Sequence, residues 1–157
     1  MDYKIYISYF YNIRFFPTNL VPVSTAVWDP KWYHDNHSQD YTYIDKRGVL
    51  VGSRIEELSP YKLPDEVICT PECPRESQNC PFLATYQEYL DRLSFSKIKA
   101  KLDAISEDAQ YRLGLDKPAD ICIMVHEKPD NPCSERWSLI EFFNEEGIDI
   151  KEFAPIQ

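Results

Sequence analysis

The sequence predicts an α/β domain of three layers, built around a mostly parallel, Rossmann-like sheet. Short apolar segments rich in β-branched residues alternate with longer stretches at helical spacing, which is typical of this class. Residues 121–125 form an uninterrupted apolar run, as expected of a strand covered on both faces of a parallel sheet. Because 157 residues suffice for one core, we expect a single domain over residues 1–157.

Two strands are predicted near the N-terminus. Residues 3–10 begin with alternating apolar and polar positions and are rich in β-forming side chains. Residues 20–26 form a second short strand, in which Pro22 indicates an edge or an early strand position because proline cannot donate to a ladder. Residues 34–80 then read as an irregular, loop-rich insertion, and residues 49–55 within it fit either a short strand or an extended segment.

Two helices with regularly spaced apolar residues follow the insertion. Pro81 suits the first turn of a helix, where its missing donor costs nothing, and Gly114 suits the residue that ends one. The candidate capping residues are Asn79 or Cys80 for the first helix and Ser94 or Ser96 for the second. Near the C-terminus, Gly147 is a candidate helix cap, and residues 148–153 alternate as a half-exposed edge strand does.

The buried run at 121–125 is followed by the strongest candidate site. Asn131 is a favoured N-cap and Pro132 fits the first helical position, so a third helix is predicted to start there. Cys133 then lies in the first turn, where backbone N–H groups and the helix dipole favour a thiolate or a bound anion. Arg136 follows one turn later and would hold a phosphate or carboxylate.

Other polar residues are predicted to contribute to this junction. Glu127 would orient Arg136 or act as an acid or base. If the first two strands are parallel and central, the polar residues at and after their carboxyl ends converge on the junction. These residues are Ser8, Tyr9, Arg14 and Ser24. The alternative interpretation makes Cys133 a small buried residue and pairs Arg136 with Glu127 or Glu135.

An aromatic loop lies between residues 27 and 34. It contains Trp28, Trp32 and Tyr33, together with Pro30. Large amphipathic rings of this kind either pack a loop over the core or line a ligand pocket, and Trp32 and Tyr33 are the ligand-binding candidates in the second interpretation.

Three cysteines occur close together in the insertion, at C-x3-C-x6-C spacing. They are Cys69, Cys73 and Cys80. Structural zinc requires about four ligands, so a zinc site would draw its fourth from elsewhere: Cys133, Cys122, His126 or a carboxylate. The alternative is three free thiols in an ordered loop. An iron–sulfur site is the other cofactor that such a cysteine loop could hold. Four glycines in the chain cannot supply a dinucleotide or Walker motif.

Composition excludes several classes of partner. A net charge of −9 argues against non-specific binding of nucleic acid, which requires a basic surface. No run approaches the roughly 20 apolar residues that span a bilayer, so no membrane partner is expected. The N-terminus lacks the pattern of a secretory signal, and we therefore expect a cytoplasmic protein.

Three stretches carry a resemblance to a known family. They are residues 5–10 with Arg14 and then 21–24, residues 30–33, and residues 123–129 followed by Cys133. The chain resembles the bacterial and phage family named only as domain of unknown function 488, over most of its length and least over 34–80. The resemblance implies a small cytosolic α/β domain, often encoded near DNA-processing or mobile-element genes, with no settled activity.

The sequence departs from the family at its most recognisable element. In many members the cysteine is followed directly by His-Arg, whereas here Cys133 precedes Ser134, Glu135 and Arg136. Any mechanism that uses that histidine as a base lacks its residue in this chain.

Two functions remain open. In the first, the protein binds, and in an enzyme would also process, a small anionic or nucleotide-like ligand at the Cys133 and Arg136 site. In the second, it is a non-catalytic interaction module of phage or defence systems, with a structural cysteine loop and an acidic surface that binds a protein partner. The sequence does not decide whether the protein is an enzyme.

Overall fold

The computed structural model describes residues 1–35, 37, 41–60, 80–131 and 134–155. The main sheet contains β1 (Ile5–Tyr9), β2 (Leu20–Ser24), β5 (Ser53–Arg54), β6 (Asp120–Val125) and β7 (Lys151–Glu152). A separate antiparallel pair contains β3 (Tyr43–Ile44) and β4 (Leu50–Val51). The helices are α1 (Pro81–Asp91), α2 (Phe95–Leu113) and α3 (Arg136–Asn144). The main sheet has the order β5-β2-β6-β1-β7 with parallel pairings, which confirms the predicted α/β class.

The strand β6 is the centre of the sheet, as its uninterrupted apolar run predicts. It pairs with β1 on one side and with β2 on the other. All of its residues after Asp120 are buried. Each isoleucine that leaves water here contributes roughly 1.5 to 3 kcal/mol to the stability of the fold.

The predicted edge position of β2 is wrong, because β2 lies between β5 and β6. The strand β5 pairs only with Val23 and Ser24, so no residue of it opposes Pro22. The hydroxyl of Tyr33 donates instead to the carbonyl of Pro22, over 3.0 Å. Since β5 is too short to pair with Pro22, no carbonyl of β5 lacks the N–H group that proline cannot supply. The inner strand β2 therefore tolerates proline at this position.

One face of the sheet is covered by the three helices. Their apolar residues pack on the strands in one cluster: Tyr86, Leu90, Ile98, Leu102, Leu139, Phe142 and Phe143. The predicted starts of the first two helices are confirmed, with Cys80 and Ser94 as the N-cap residues. Gly114 ends α2 with a φ of 66°, in the left-handed region that favours glycine.

The opposite face is covered by irregular structure. Two short 3-10 turns, Phe10–Phe15 and Lys31–Tyr33, and the β3–β4 pair contribute to a second apolar cluster: Phe10, Ile13, Phe16, Tyr33, Val49 and Val51, against Cys122 and Met124 of β6. Residues 43–58 of the predicted insertion thus form β3, β4, β5 and a turn at Glu56–Leu58, while 61–79 lie outside the described residues.

The connections determine where a ligand crevice is expected. After β1 the chain enters the irregular layer, where Phe10 and Ile13 are buried, and after β6 it enters α3 on the helical face. In parallel α/β sheets, ligands bind at the carboxyl ends of neighbouring strands whose connections leave toward opposite faces. A ligand crevice is therefore expected at the carboxyl ends of β1, β2 and β6.

The predicted edge strand is confirmed, since β7 is the last strand of the sheet beside β1. Among the residues that the structure describes, no helix is both long and apolar enough to cross a membrane.

Candidate functional site

The third helix does not start where the sequence predicts. It begins at Arg136, with Glu135 as the N-cap, so Asn131 and Pro132 do not open it and Cys133 precedes its first residue by three positions. Asn131 instead supports a turn, because its carbonyl accepts hydrogen bonds from Ser134 N at 3.4 Å and from the Trp137 indole at 3.0 Å. The helix-terminus argument for an activated Cys133 therefore loses its basis, and Cys133 itself lies outside the described residues.

Arg136 is turned into the protein. Its side chain has no exposed surface, although arginine is among the residues least often buried. Nη1 donates to the carbonyl of Glu127 at 2.7 Å, and Nη2 donates to Glu152 at 3.3 Å. Nε also lies 2.7 Å from Glu152 Oε1 but outside hydrogen-bond geometry. These contacts join the end of β6, the start of α3 and the strand β7.

Two further glutamates, Glu135 and Glu127, belong to the same region. Glu135 is 5% exposed, and burial, followed by the charge of Glu127, raises its pKa well above the usual value, while Arg136 opposes the rise. Glu127 is half-buried, and its Oε2 atom is shielded from solvent without a hydrogen-bond partner. The predicted pairing of Arg136 with Glu127 therefore involves the backbone carbonyl, and Glu152 supplies the ion pair.

Ser8 and Tyr9 lie at the carboxyl end of β1, as predicted, but do not meet Arg136. The Ser8 hydroxyl is buried and accepts a hydrogen bond from Asn12 Nδ2 at 2.9 Å. The Tyr9 ring stacks on Tyr11, with 6.3 Å between centroids. Ser8 thus closes the turn after β1.

Ser24 belongs to a second polar cluster, at the carboxyl ends of β2 and β5. Its hydroxyl donates to the Asp29 carboxylate, which is 6% exposed. Asp29 also contacts His34 Nε2 at 2.6 Å and Arg54 Nη1 at 2.8 Å. Asp29 and Arg54 are absent from the sequence-based candidates. Arg54 ends β5 and Asp29 lies five residues after β2, so their nearness to the carboxyl ends of strands is a signal that could have found them.

The two aromatic candidates have different environments. Tyr33 is completely buried, and its single hydroxyl proton is shared between the carbonyls of Pro22, at 3.0 Å, and Ser53, at 2.6 Å. Burial raises the pKa of Tyr33 well above its usual value. Trp32 is 50% exposed. Tyr33 therefore packs the loop over the core, whereas Trp32 faces outward.

Arg14 and Trp32 lie together in a surface cleft of about 400 Å³. We call it the Arg14 cleft and define it by Tyr11, Arg14, Trp32 and Arg47, all of which line it. The Arg14 guanidinium carbon lies 3.8 Å from the centre of the Tyr11 ring. Arg47 reaches the cleft from the turn before β4, and its guanidinium donates to the carbonyls of Ile13, at 2.9 Å, and Phe16.

The arginines of the cleft, Arg14 and Arg47, form no ion pair with the carboxylates that the structure describes. Asp45 is the one acidic residue among those that line the cleft, and its Oδ1 accepts the backbone N–H groups of Arg47 and Val49. The cleft therefore combines two cationic side chains and two exposed rings in a protein whose net charge is −9.

One of the three predicted metal ligands, Cys80, belongs to the residues that the structure describes. Cys69 and Cys73 lie outside the described residues, and Cys80 is a buried free thiol at the N-cap of α1. Among the described residues, no three His, Cys, Asp or Glu side chains form a group that could hold a metal ion. Cys122 is also buried, and burial raises the pKa of its thiol well above the usual value.

Five of the predicted site residues thus divide among three places. Arg14 and Trp32 share the Arg14 cleft, Ser24 belongs to the Asp29 cluster, and Glu127 and Arg136 form the network at the start of α3.

Comparisons of the chain with models of protein families, with curated proteins and with solved structures found no match.

Proposed function

We propose that the protein binds a small anionic ligand carrying a flat ring, of the nucleotide type, in the Arg14 cleft. The observation that supports this most directly is that Arg14 and Trp32, a predicted cationic residue and a predicted aromatic residue, line the same cleft. The ligand class is the one that the sequence suggested, and the residues that bind it lie beside β1 and β2 instead of at Cys133.

The two arginines supply the affinity for an anion. A guanidinium presents several donors in a plane and matches the oxygens of a phosphate or carboxylate. Arg14 rests against the Tyr11 ring and Arg47 is fixed by two carbonyls, so both are partly ordered before a ligand arrives. Ordering a side chain in advance reduces the entropy lost on binding.

The two rings supply a surface for stacking. Tyr11 is 54% exposed and Trp32 is 50% exposed, which leaves ring area for a ligand. Stacking of a base on an aromatic side chain contributes about 1 to 3 kcal/mol. The cleft volume of about 400 Å³ lies within the range of small-molecule sites.

The position of the cleft agrees with the rule for parallel sheets. Tyr11 and Arg14 belong to the turn that follows β1, and Trp32 belongs to the turn that comes after β2. Arg136 has a different role in this proposal: its donors go to Glu127 and Glu152, so it supports the fold.

Isothermal titration calorimetry with three probes tests the proposal. Adenosine 5′-monophosphate carries the ring and the anion, adenosine carries the ring alone, and inorganic phosphate carries the anion alone. We expect the monophosphate to bind at least about tenfold more tightly than either partial probe, because each half contributes separately. Equal binding of the three probes, or no binding of the monophosphate, would contradict the proposal.

A second candidate, a protein-interaction module, is favoured by one observation. Trp28 is 79% exposed and Phe15 is 45% exposed, and neither lines the Arg14 cleft. Exposed aromatic side chains outside a pocket are typical of binding surfaces. If none of the three probes binds, and Trp28→Ala loses binding to a protein partner that the unmodified chain binds, this candidate is supported.

A further inference from the structure

The Arg14 cleft is lined by a carboxylate as well as by its two arginines. Among the described residues that line the cleft, Asp45 is the acidic member. A negative charge in a cleft that binds an anion weakens that binding, because like charges repel. The position of Asp45 is explained if the ligand also carries a hydrogen-bond donor that this carboxylate accepts.

The Asp45 side chain is held in place by the turn that joins β3 to β4. Its Oδ1 atom accepts from the backbone N–H of Arg47 at 2.9 Å and from that of Val49 at 3.0 Å. The backbone of Asp45 closes the same turn, since its carbonyl accepts from Gly48 N at 3.0 Å and its N–H donates to the Val49 carbonyl at 2.8 Å. A carboxylate fixed in this way loses little entropy when a ligand contacts it.

These contacts leave the Oδ2 atom of Asp45 as the acceptor for a ligand. Within the described part of the chain, no residue donates to Oδ2, and no cationic side chain forms an ion pair with this carboxylate. Each oxygen of a carboxylate can accept hydrogen bonds. Because Oδ1 is turned toward the backbone of its own turn and the side chain lines the cleft, Oδ2 is the oxygen that a ligand can reach.

The charge of the cleft determines which kind of donor suits Oδ2. Arg14 and Arg47 line the same cleft, so a cationic donor would be repelled by two guanidinium groups. A neutral donor is therefore favoured. Asp45 contacts the backbone of Arg47 itself, so the donor belongs to the part of the ligand that lies beside the anion. In a nucleotide that part is the sugar, because the sugar joins the base to the phosphate.

We propose that Asp45 Oδ2 accepts a hydrogen bond from a ribose hydroxyl, so that the Arg14 cleft selects ribonucleotides over analogues without sugar hydroxyls. This proposal rests on the proposed function, since it requires an anion of the nucleotide type in the cleft. The two arginines contact the phosphate, and the two exposed rings contact the base. Asp45 contacts the sugar between them. A site that accepts from a ligand hydroxyl disfavours the analogue without that group, because its acceptor then loses a partner.

Calorimetry with two nucleotides tests the proposal on the unmodified chain. Adenosine 5′-monophosphate and 2′,3′-dideoxyadenosine 5′-monophosphate share the base and the phosphate and differ only in the ribose hydroxyls. We expect the first to bind about tenfold more tightly, because its hydroxyls can donate to a charged acceptor. Equal binding of the two nucleotides would overturn this proposal and leave the proposed function standing. Binding of neither nucleotide would contradict the proposed function, and this proposal with it.

The variant Asp45→Asn tests whether this carboxylate is the acceptor. The amide keeps one oxygen for the N–H groups of Arg47 and Val49, so the turn is retained, and it replaces the charged Oδ2 by an NH₂ group. We expect the ratio of the two affinities to fall from about tenfold to below about threefold. The dideoxy nucleotide should bind at least as tightly as before, because a repulsive charge is removed.

The ratio of affinities separates the contact with the sugar from a general change in charge. Asp116→Asn removes the same charge at an exposed position outside the cleft and should leave both affinities unchanged. An unchanged ratio in Asp45→Asn, or an equal fall of the ratio in Asp116→Asn, would overturn the proposal.

Discussion

The guanidinium of Arg136 and the carboxylate of Glu152 join the first residue of α3 to the edge strand β7, with Nε and Oε1 2.7 Å apart. The arginine is fully buried, whereas the glutamate side chain is 34% exposed. Burial raises the pKa of Glu152 and the charge of Arg136 opposes that rise. The pair therefore joins α3 to a two-residue edge strand, which also pairs with β1.

Removing the arginine should destabilise the fold strongly. Arg136→Met leaves the Glu127 carbonyl and the Glu152 carboxylate without their donor, and loss of one member of a buried pair costs about 3 to 5 kcal/mol. Urea unfolding followed by circular dichroism measures the change. Arg92→Met, on the exposed end of α1, is the matched control and should change stability by less than about 0.5 kcal/mol.

The glutamate of the pair should matter less. Glu152→Gln keeps the shape and a hydrogen-bonding oxygen, and the side chain is partly solvated, so we expect a loss of about 1 kcal/mol in the same assay. A loss equal to that of Arg136→Met would show that the ion pair, and not the carbonyl contact, dominates.

The buried carboxyl of Glu135 should make stability depend on pH. Because its folded pKa is raised, the folded state holds a proton that the unfolded chain releases near pH 4.3, the ordinary value. The stability that this proton contributes is present below that pH and is lost as pH rises through the folded pKa. The free energy of unfolding should therefore fall over this window.

Replacement of Glu135 by glutamine should remove that dependence. We expect Glu135→Gln to raise the midpoint of thermal unfolding by about 2 to 4 °C at pH 8, and by less at pH 5. Glu145→Gln, at an exposed position just after α3, is the control. An equal shift of the midpoint at both pH values would argue against a protonated Glu135.

Variants of the Arg14 cleft should lose the ring-bearing anion. Arg14→Gln removes one cation and Trp32→Ala removes one ring, and each should weaken binding of adenosine 5′-monophosphate by about tenfold or more, since each contact is worth roughly 1 to 3 kcal/mol. Arg92→Gln and Trp28→Ala remove the same chemical groups at exposed positions outside the cleft. Calorimetry in which controls and cleft variants behave alike would rule out this site.

The hydroxyl of Tyr33 should stabilise the sheet beside Pro22, where β5 does not pair with β2. Tyr33→Phe leaves the carbonyls of Pro22 and Ser53 without their shared donor in a buried position, which costs about 1 to 3 kcal/mol. Denaturant unfolding measures the loss. Tyr111→Phe removes a hydroxyl from a side chain that is 88% exposed and should have no effect on the midpoint.

The zinc prediction has a direct measurement. If Cys69, Cys73 and Cys80 bind zinc, protein purified without chelator should contain about one zinc per chain by elemental analysis, and Cys80→Ser should release it. Sub-stoichiometric metal in the unmodified protein would contradict the prediction.

Local sequence signals predicted the elements that depend on local physics. The cap at Cys80 with Pro81 and the left-handed Gly114 both follow from backbone preferences of single residues, and both are confirmed. The start of α3 was not predictable in this way. Asn131 and Pro132 favour an earlier start, yet the helix begins where Arg136 enters the core and reaches Glu127 and Glu152.

The candidate sites show the same division. Arg14 and Trp32 were singled out by residue type and position, and the fold brings them into one cleft. Arg47 was absent from the candidates because it lies in the turn before β4, and no local pattern shows that this turn folds back onto the segment after β1.

By itself the sequence determined the α/β class, the central β6 and the caps of α1 and α2, because hydrophobic periodicity and backbone preferences act over a few residues. Only the tertiary structure decided that Pro22 lies in an inner strand, that Arg136 is buried, and that Asp29 gathers Ser24, His34 and Arg54. Those outcomes depend on which distant segments share a face of the sheet. They also depend on whether each polar group that is buried there has a hydrogen-bond partner in place of water.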